Sequence, residues 1–451
     1  MLLPRPAAER RDAFEASMTV SPAAAAAVDR SHADRRRMIV AMILTYAIFA
    51  VLLNSVGTLI LQSQVALGAS KAQVSLLDGY KDLPIALVSF LVAAWLPRFG
   101  YRRAMIAGLV LVAVACLAMR AANAFWMTKA LLAATGVAFA LVKISVYAAI
   151  GLVTDDPRRH ASVTSTIEGW FMVGVLAGPW LFGLFIRRQQ SPGDPVWLDL
   201  YLWLAGACAA AIALLATVRL DESRAVATPA AGAPPAGAFP GMLRLALRPL
   251  VAVFVVSAFL YVLIEQSIGT WLPTFNADLL HLSTATSVQL ASVFAACTAL
   301  GRLLAGQLLR RVPWHALLVG CLVAAAAIVL IALPLADGVA PPRADGWRHA
   351  PAAAFALPLI GLFLAPIYPT INSVVLSALP RHRHAPMTGL IVVFSALGGT
   401  TGSFLTGQLF ARVGGQGAFY LTLLPMALLA VAVLALRRRV DRDDAAEAGT
   451  A

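Results

Sequence analysis

Apolar runs of roughly 16 to 24 residues recur along the whole chain, and each is long enough, with its flanks, to cross a bilayer core of roughly 30 Å as a helix. Clear examples are 38–61, 104–119, 319–335 and 421–436. The 451 residues are 60% hydrophobic and only 13% charged, with a mean hydropathy of +0.81. Soluble domains are roughly 45–50% apolar and about 25% charged. We therefore predict an all-α polytopic membrane protein.

Twelve spans can be assigned, and one polar stretch divides them into two groups of six. The predicted bounds are 38–61, 74–96, 104–122, 126–153, 162–187, 197–218, 248–275, 284–309, 314–335, 351–378, 386–411 and 416–438. The stretch between spans 6 and 7 contains TPAAGAPPAGAFPG, a Pro, Gly and Ala content typical of a linker. The predicted organisation is a disordered tail, a six-helix bundle, a linker, a second six-helix bundle and a second tail, at 1–37, 38–218, 219–247, 248–438 and 439–451.

The basic residues are distributed unevenly between alternate connecting segments. One set of segments holds 25 of the 35 Lys and Arg residues, and cytoplasmic loops are the ones enriched in these residues. We therefore expect both termini and the linker to be cytoplasmic, in a multi-pass protein of the inner (plasma) membrane. The N-terminal segment lacks the apolar region of a signal peptide, and Met18 is an alternative to Met1 as the start.

Composition and motifs argue against several classes of function. The net charge of +13 comes largely from short arginine clusters between apolar runs, where they orient helices, so we do not expect nucleic-acid binding. The four cysteines lie inside apolar runs without CxxC spacing, and no metal-ligand pair, GxxxxGK[ST] loop or catalytic constellation is visible. We expect no metal, no cofactor and no enzymatic activity. The expected partners of a functional monomer are the bilayer, a small-molecule substrate and protons.

The two groups of spans resemble each other, and two loops resemble those of a known family. The link after span 4, VTDDPRRHASVT, and the link after span 10, SALPRHRHAPMT, both place a proline before basic residues, and internal repeats are typical of transporters. PRFGYRR, at 97–103, resembles the loop 2–3 signature D-R-x-G-R-R of the major facilitator superfamily, with proline in place of the aspartate. GRLLAGQLLRR, at 301–311, resembles its second copy. The resemblance implies twelve transmembrane helices in two six-helix pseudo-repeats, and a gating role for Arg98, Gly100, Arg102, Arg103, Gly301, Arg302, Arg310 and Arg311.

Two further stretches resemble the fucose:proton symporter group of sugar permeases. They are YVLIEQSIGTWLPTF (261–275), which places Glu265 in span 7, and GLFLAPIYPTINSVV (361–375) in span 10. This resemblance implies sugar transport coupled to protons, and Lys143 stands near the place of the acid that the group carries in span 4. GWFMVGVLAGPWLFG (169–183) in span 5 instead resembles the glycine-rich motif of drug:proton antiporters. Glycines there also have a simpler interpretation, since small residues let helices approach closely.

Six charged residues lie in the interior of the predicted spans, away from their ends: Asp78, Lys81, Asp82, Lys143, Glu168 and Glu265. Facing lipid, each would cost at least roughly 2.5–3.5 kcal/mol at a helix centre, so we expect them to face the bundle interior and to mark a pathway. Counting residues from the link between antiparallel spans 4 and 5 puts Lys143 and Glu168 at similar heights, which predicts a buried ion pair between them. This pair is either static or opened by protonation or substrate binding. Asp78 and Asp82 are one turn apart on one face, with Lys81 three residues after Asp78. The predicted proton-coupling residues are Asp78, Asp82, Glu168 and Glu265.

Seven residues are predicted to contact the substrate: Asn54, Lys143, Glu265, Gln266, Trp271, Tyr368 and Asn372. Glu265 and Gln266 offer hydrogen bonds, and the Trp271 ring suits stacking on a sugar face. For Asn54 and Asn372, a hydrogen bond between helices is the alternative. We predict a secondary active transporter that moves a small polar solute, a sugar being one candidate, with protons by alternating access. The alternative is efflux of amphipathic compounds, which the number of buried charges disfavours.

Overall fold

The computed structural model describes residues 22–448 apart from 94, 155, 219, 221, 223–248, 341–344 and 378–383. Every regular element in this part of the chain is helical. Ten of the helices are long and apolar enough to cross a membrane. The 17-residue helix Leu77–Ala93 and the helix Leu423–Ala448, whose last part is charged, complete twelve spans. The predicted fold class is therefore confirmed.

The N-terminal half contains spans 1 to 6, and span 1 is interrupted in its middle. Its two pieces are Pro22–Leu53 and Val56–Leu67. Spans 2 to 6 are Leu77–Ala93, Tyr101–Ala122, Phe125–Val153, Pro157–Ile186 and Asp199–Thr217. Short helices lie before span 2, after span 2 and before span 6, at Lys71–Val74, Leu96–Phe99 and Pro195–Leu198.

The C-terminal half contains spans 7 to 12, of which spans 7 and 10 are interrupted. Span 7 consists of Pro249–Gly269 and Leu272–Asp278. Spans 8, 9 and 12 are Thr284–Leu308, Trp314–Ala332 and Leu423–Ala448. Span 10 is built from Ala353–Ala356, Leu357–Leu359, Ile360–Leu364 and Ile367–Ser377. Span 11 is the first part of the helix His384–Tyr420 and ends at Gly414, where a φ of 76° turns the chain.

The part of the predicted N-terminal tail that the structure describes is helical. Residues 22–37 continue the helix of span 1, and the sequence AAAAAV within them has a high helix propensity. Residues 1–21 lie outside the described part of the chain, as does the predicted linker except for Leu220 and Glu222. The C-terminal tail continues the helix of span 12 as far as Ala448.

The interruption of span 1 is stabilised by the two polar residues that form it. Asn54 Nδ2 donates to the carbonyl oxygen of Ala50 at 2.9 Å, and Ser55 Oγ donates to that of Leu52 at 2.7 Å. These bonds add to those of the backbone N–H groups of the same two residues, which reach the same carbonyl oxygens at 3.2 and 3.4 Å. Discontinuous helices inside a membrane bundle leave backbone groups that can line a cavity, so we expect a cavity at the level of this interruption.

The two halves contact each other toward one end of the bundle, which we call the closed end. Lys71, before span 2, lies 2.5 Å from the Asp278 carboxylate at the end of span 7, and Trp180 Nε1 of span 5 donates to Ser292 Oγ of span 8 at 3.2 Å. At the opposite end, which we call the open end, Arg302 of span 8 is exposed. Among the described residues, the polar contacts between the halves lie in the half of the bundle near the closed end.

Candidate functional site

A cavity of about 300 Å³ lies between the two halves, at the level where spans 1 and 7 are interrupted. Spans 1, 2 and 5 line it from one half, and spans 7 and 8 line it from the other. Its polar lining residues are Asn54, Thr58, Asp78, Lys81, Glu265, Gln266, Thr270, Thr298 and Arg302. The cavity therefore offers both charges and hydrogen-bonding groups to a bound molecule.

Asp78, Lys81 and Asp82 form an acid–lysine triad beside this cavity. Lys81 Nζ lies 3.1 Å from Asp78 Oδ1 and 3.4 Å from Asp82 Oδ1, and it also donates at 3.5 Å to the carbonyl oxygen of Leu53, at the interruption of span 1. Asp78 is fully buried, whereas the Asp82 side chain is 15% exposed. Within the described residues, the Asp78 carboxylate accepts no hydrogen bond of regular geometry, so it depends on the charge of Lys81. With both acids ionised, the triad carries one net negative charge.

The position of the triad inside the bundle depends on helical spacing and on two glycines of neighbouring spans. Residues 78, 81 and 82 share a face because they are three and four positions apart, as predicted. A Cβ added at Gly136 of span 4 would lie 2.3 Å from the Lys81 carbonyl oxygen, and one at Gly399 of span 11 would lie 3.0 Å from Asp82 Oδ2. Spans 4 and 11 therefore pack directly against the triad and hold it inside the bundle.

Glu265 lies in the opposite wall of the cavity. The Tyr261 hydroxyl donates to Glu265 Oε1 at 2.9 Å, and the Tyr261 ring stacks on that of Tyr368 with centroids 5.3 Å apart. Arg302 lines the same cavity, and its positive charge acts on Glu265 although no ion pair within 4.0 Å joins these two described residues. Three of the seven predicted substrate contacts line the cavity, namely Asn54, Glu265 and Gln266.

Lys143 and Glu168 are close, but they do not form the predicted direct ion pair. Tyr147, one turn after Lys143 on span 4, donates its hydroxyl to Glu168 Oε1. Lys143 Nζ lies 5.8 Å from the centroid of the Phe139 ring, and its charge acts on Glu168 from a distance. The Lys143 side chain is exposed and does not line the cavity. Counting residues along the two spans places Lys143 and Glu168 near each other. However, the Tyr147 hydroxyl occupies the position beside the Glu168 carboxylate expected for the Lys143 ammonium group.

Trp271 is fully buried outside the cavity lining, which leaves no ring face for the predicted stacking on a substrate. Its Nε1 donates to the carbonyl oxygen of Ser403 at 3.0 Å and to Ser403 Oγ at 3.2 Å, and its ring packs against Phe410. Trp271 therefore attaches span 7 to span 11. Tyr368 and Asn372 of span 10 also lie outside the lining, and the Tyr368 hydroxyl bonds to a serine of span 11.

The loop 2–3 signature is joined to the start of the linker. The Glu222 carboxylate accepts the backbone N–H groups of Tyr101 and Arg102, both at 3.0 Å, and Arg102 Nη1 donates to the Val218 carbonyl at 2.7 Å. A carboxylate at this place satisfies free N–H groups at the start of span 3, where Gly100 has a φ of 95°. Of the remaining predicted gating residues, Gly301 packs against span 10 and Arg302 lines the cavity. The other four are exposed arginines: Arg98, Arg103, Arg310 and Arg311.

Asp345, between spans 9 and 10, contributes to the closed end. The hydroxyls of Ser283 and Thr286 donate to its Oδ1, both at 2.6 Å, and Arg187 of span 5 lies 4.0 Å from its Oδ2. Burial favours the neutral carboxyl, but these hydrogen bonds, a backbone N–H of Gly346 and the charge of Arg187 lower the pKa of Asp345 below its ordinary value. The contribution of this carboxylate is therefore present at neutral pH, and it is lost only as the pH falls through the lowered value.

Reversing the charge of Lys71 should loosen the closed end. Its side chain and that of Asp278 are 31% and 34% exposed, so their ion pair contributes about 0–1 kcal/mol. Lys71→Glu should therefore raise the population that is open at this end by up to roughly fivefold. The measurement is the rate at which an impermeant maleimide labels T58C, in the cavity lining, in a background without the native cysteines. The double variant K71E/D278K should return to the parental rate, and an unchanged rate in K71E would show that this pair does not hold the closed end.

Three features of the site are not evident from sequence. Sequence spacing identifies Lys81 only as a neighbour of the two acids, whereas it is their shared counter-charge. The interruption of span 1 contains neither proline nor glycine, and the polar pair Asn54–Ser55 within an apolar run is the available signal. Glu222 carries no signal, because its partners are backbone N–H groups of a distant loop.

Comparisons with known proteins agree with this architecture. Residues 54–391, well over half of the chain, match the family model of the Major Facilitator Superfamily. Among solved structures, a bacterial homologue of the human lysosomal transporter Spinster, in an inward-facing and unoccupied conformation, has a TM-score of 0.70 at 14% identity and covers 91% of this chain and 98% of its own. The nucleoside transporter NupG has a TM-score of 0.66 at 16% identity, covering 89% and 98%. A variant of the E. coli fucose:proton symporter FucP has a TM-score of 0.55 at 16% identity, covering 88% and 98%.

No curated protein matches the chain. The solved structures share the fold at low identity, and the family assignment follows from the family model. The protein therefore belongs to the major facilitator superfamily of membrane transporters.

Proposed function

We propose that the protein is a secondary active transporter that carries a small polar solute together with protons by alternating access. The observation that supports this most directly is the acid–lysine triad beside a cavity between the two halves. Charged residues inside a membrane bundle mark substrate and proton pathways, and substrate sites of repeat-built transporters lie at the interface of the repeats.

The open end is the cytoplasmic end in this proposal. Cytoplasmic loops are enriched in Lys and Arg, and the segments at the open end belong to the set that holds 25 of the 35 such residues. The structure then represents an inward-facing state of a multi-pass protein of the inner (plasma) membrane, with both termini in the cytoplasm. A monomer contains the complete cavity, so we infer that a monomer suffices for transport.

Asp82 is the member of the triad that we assign to proton exchange. Its side chain is partly exposed, although outside the cavity lining, whereas that of Asp78 lines the cavity and is fully buried. Two nearby carboxylates resist ionising together, so one proton on the triad removes its net negative charge. Glu265, in the opposite wall, is the second candidate for a proton site, because it faces the same cavity and already has a hydroxyl donor in Tyr261.

The polar lining supports a solute with several hydrogen-bonding groups. Asn54, Thr58, Gln266 and Thr270 supply amide and hydroxyl groups at the level of the interruptions. The names of FucP and NupG, a fucose:proton symporter and a nucleoside transporter, indicate the first two solute classes to test.

A second candidate function is efflux of amphipathic compounds. Phe171, Met172 and Phe294 line the same cavity beside the polar residues, and aromatic and thioether groups adapt to varied apolar ligands. This arrangement favours a substrate with an apolar part, and the experiment below distinguishes the two.

The test is a proton-flux assay in proteoliposomes that contain a trapped pH dye. A sugar or nucleoside added outside should drive acidification inside, and Asp82→Asn should abolish that signal while Asp199→Asn keeps it. Asp199 is a matched control because it pairs with Arg120 at 2.6 Å, away from the cavity. Proton release driven by a lipophilic cation would support efflux instead, and solute flux without any pH change would contradict proton coupling.

A further inference from the structure

Spans 5 and 8 run antiparallel along the boundary between the halves, and their contacts define a register. Trp180 of span 5 bonds to Ser292 of span 8, and a Cβ at Gly183 would lie 2.6 Å from the Gln289 side chain. A step of three residues toward the C-terminus of span 5 therefore corresponds to a step of three residues toward the N-terminus of span 8. Extended by twelve residues toward the open end, this register places Glu168 level with Leu304. Arg302 is two residues from that level, or about 3 Å of helical rise.

Glu168 and Arg302 also lie on the sides of their helices that face the cavity. On span 5, Glu168 is four residues before Met172, which lines the cavity together with Val175 and Pro179. On span 8, Arg302 is itself part of the lining, four residues after Thr298. Both side chains therefore border the same seam between the halves.

In the present state these two described residues form no ion pair within 4.0 Å and have different neighbours. The Glu168 carboxylate accepts the Tyr147 hydroxyl and is influenced by the charge of Lys143 and the hydroxyl of Tyr46. Arg302 is exposed, forms no ion pair with any described residue, and acts electrostatically on Glu265. Because the halves meet at the closed end here, the parts of spans 5 and 8 near the open end are free to approach.

We propose that Arg302 exchanges partners during transport, facing Glu265 in the observed state and pairing with Glu168 when the open end closes. This inference rests on the alternating access of the proposed function and adds a specific gate to it. Rocking of the halves would bring the open-end parts of spans 5 and 8 together, as transporters of this architecture move. When Arg302 leaves, Tyr261 and Tyr368 remain as the neighbours of Glu265.

A cross-linking experiment tests the exchange without a known solute. Gly169 and Leu303 are at matching levels in the register, and both are exposed here. In a cysteine-free background, a bismaleimide should therefore trap G169C/L303C only in molecules that have closed the open end. We expect Glu168→Gln and Arg302→Gln each to slow trapping roughly fivefold, the effect of losing a partly exposed ion pair. The swapped variant E168R/R302E should restore the rate.

The reciprocal pair W180C/S292C reports the observed state and should cross-link faster in Glu168→Gln and in Arg302→Gln. A trapping rate that is unchanged in both single variants would overturn the exchange, as would failure of the swapped variant to recover while W180C/S292C shows that it is folded. Because neither readout depends on solute or protons, a negative proton-flux assay combined with a positive cross-linking result would count against the proposed function alone.

Discussion

Lys81→Met should abolish transport and lower the free energy of unfolding by roughly 3–5 kcal/mol, since removing one partner of a buried ion pair leaves uncompensated charge behind. Lys81 holds two carboxylates, and Asp78 is fully buried with no other regular hydrogen bond among the described residues. Thermal unfolding in detergent and uptake in proteoliposomes measure the two effects.

Lys129→Met is the matched control for this substitution. Lys129 lies 4.6 Å from the Phe125 ring centroid and forms no ion pair with a described residue, so its loss should cost about 0.5–1 kcal/mol. Adding Asp78→Asn to Lys81→Met should recover part of the lost stability, because it removes one of the unpaired charges. Equal stability of Lys81→Met and Lys129→Met would show that the triad is not a buried charge cluster.

Gly301→Ala should disrupt the contact between spans 8 and 10 and greatly reduce transport. A Cβ at this position would lie 2.2 Å from the Leu362 carbonyl oxygen and 2.8 Å from the Ala365 Cβ. Backbone cannot yield as a flexible side chain does, so the helices must separate, at a cost of roughly 1–3 kcal/mol. Arg302 is the next residue, and this separation would move it relative to Glu265.

Gly306→Ala on the same helix provides the control, because a Cβ there meets no atom within 4 Å. That variant should be as stable as the parent or more stable by roughly 0.5–1 kcal/mol, the usual difference between alanine and glycine in a helix. Comparing the two melting temperatures separates crowding from helix propensity. A Gly301→Ala protein that melts with the parent would contradict backbone contact between spans 8 and 10.

The sequence is sufficient for the parts of the fold that depend on local pattern. Twelve apolar runs predict twelve spans because a bilayer sets the length of each helix. Likewise, the spacing of Asp78, Lys81 and Asp82 predicts a shared face because helical geometry is local. The presence of Glu265 and Gln266 beside a cavity follows from the cost of exposing them to lipid.

The parts that depend on packing between spans are not predictable in this way. The aromatic ring of Trp271 suits stacking on a substrate, but its position on span 7 turns it toward Ser403 of span 11. Lys143 and Glu168 are at matching heights, yet the choice between an ammonium group and the Tyr147 hydroxyl depends on side-chain directions that spacing does not fix. The same applies to Glu222, whose partners lie in another loop.

The contact between Lys81 and the Leu53 carbonyl joins the acid–lysine triad of span 2 to the interruption of span 1. That carbonyl belongs to the interruption of span 1, and its 3.5 Å separation from Lys81 Nζ is at the long limit of a hydrogen bond. A small displacement of the ammonium group toward either acid therefore changes the support of the main chain at the bend. The charges of span 2 and the interruption of span 1 are thus linked by one long hydrogen bond, and Lys81 and Asn54, one from each side of that link, both line the cavity.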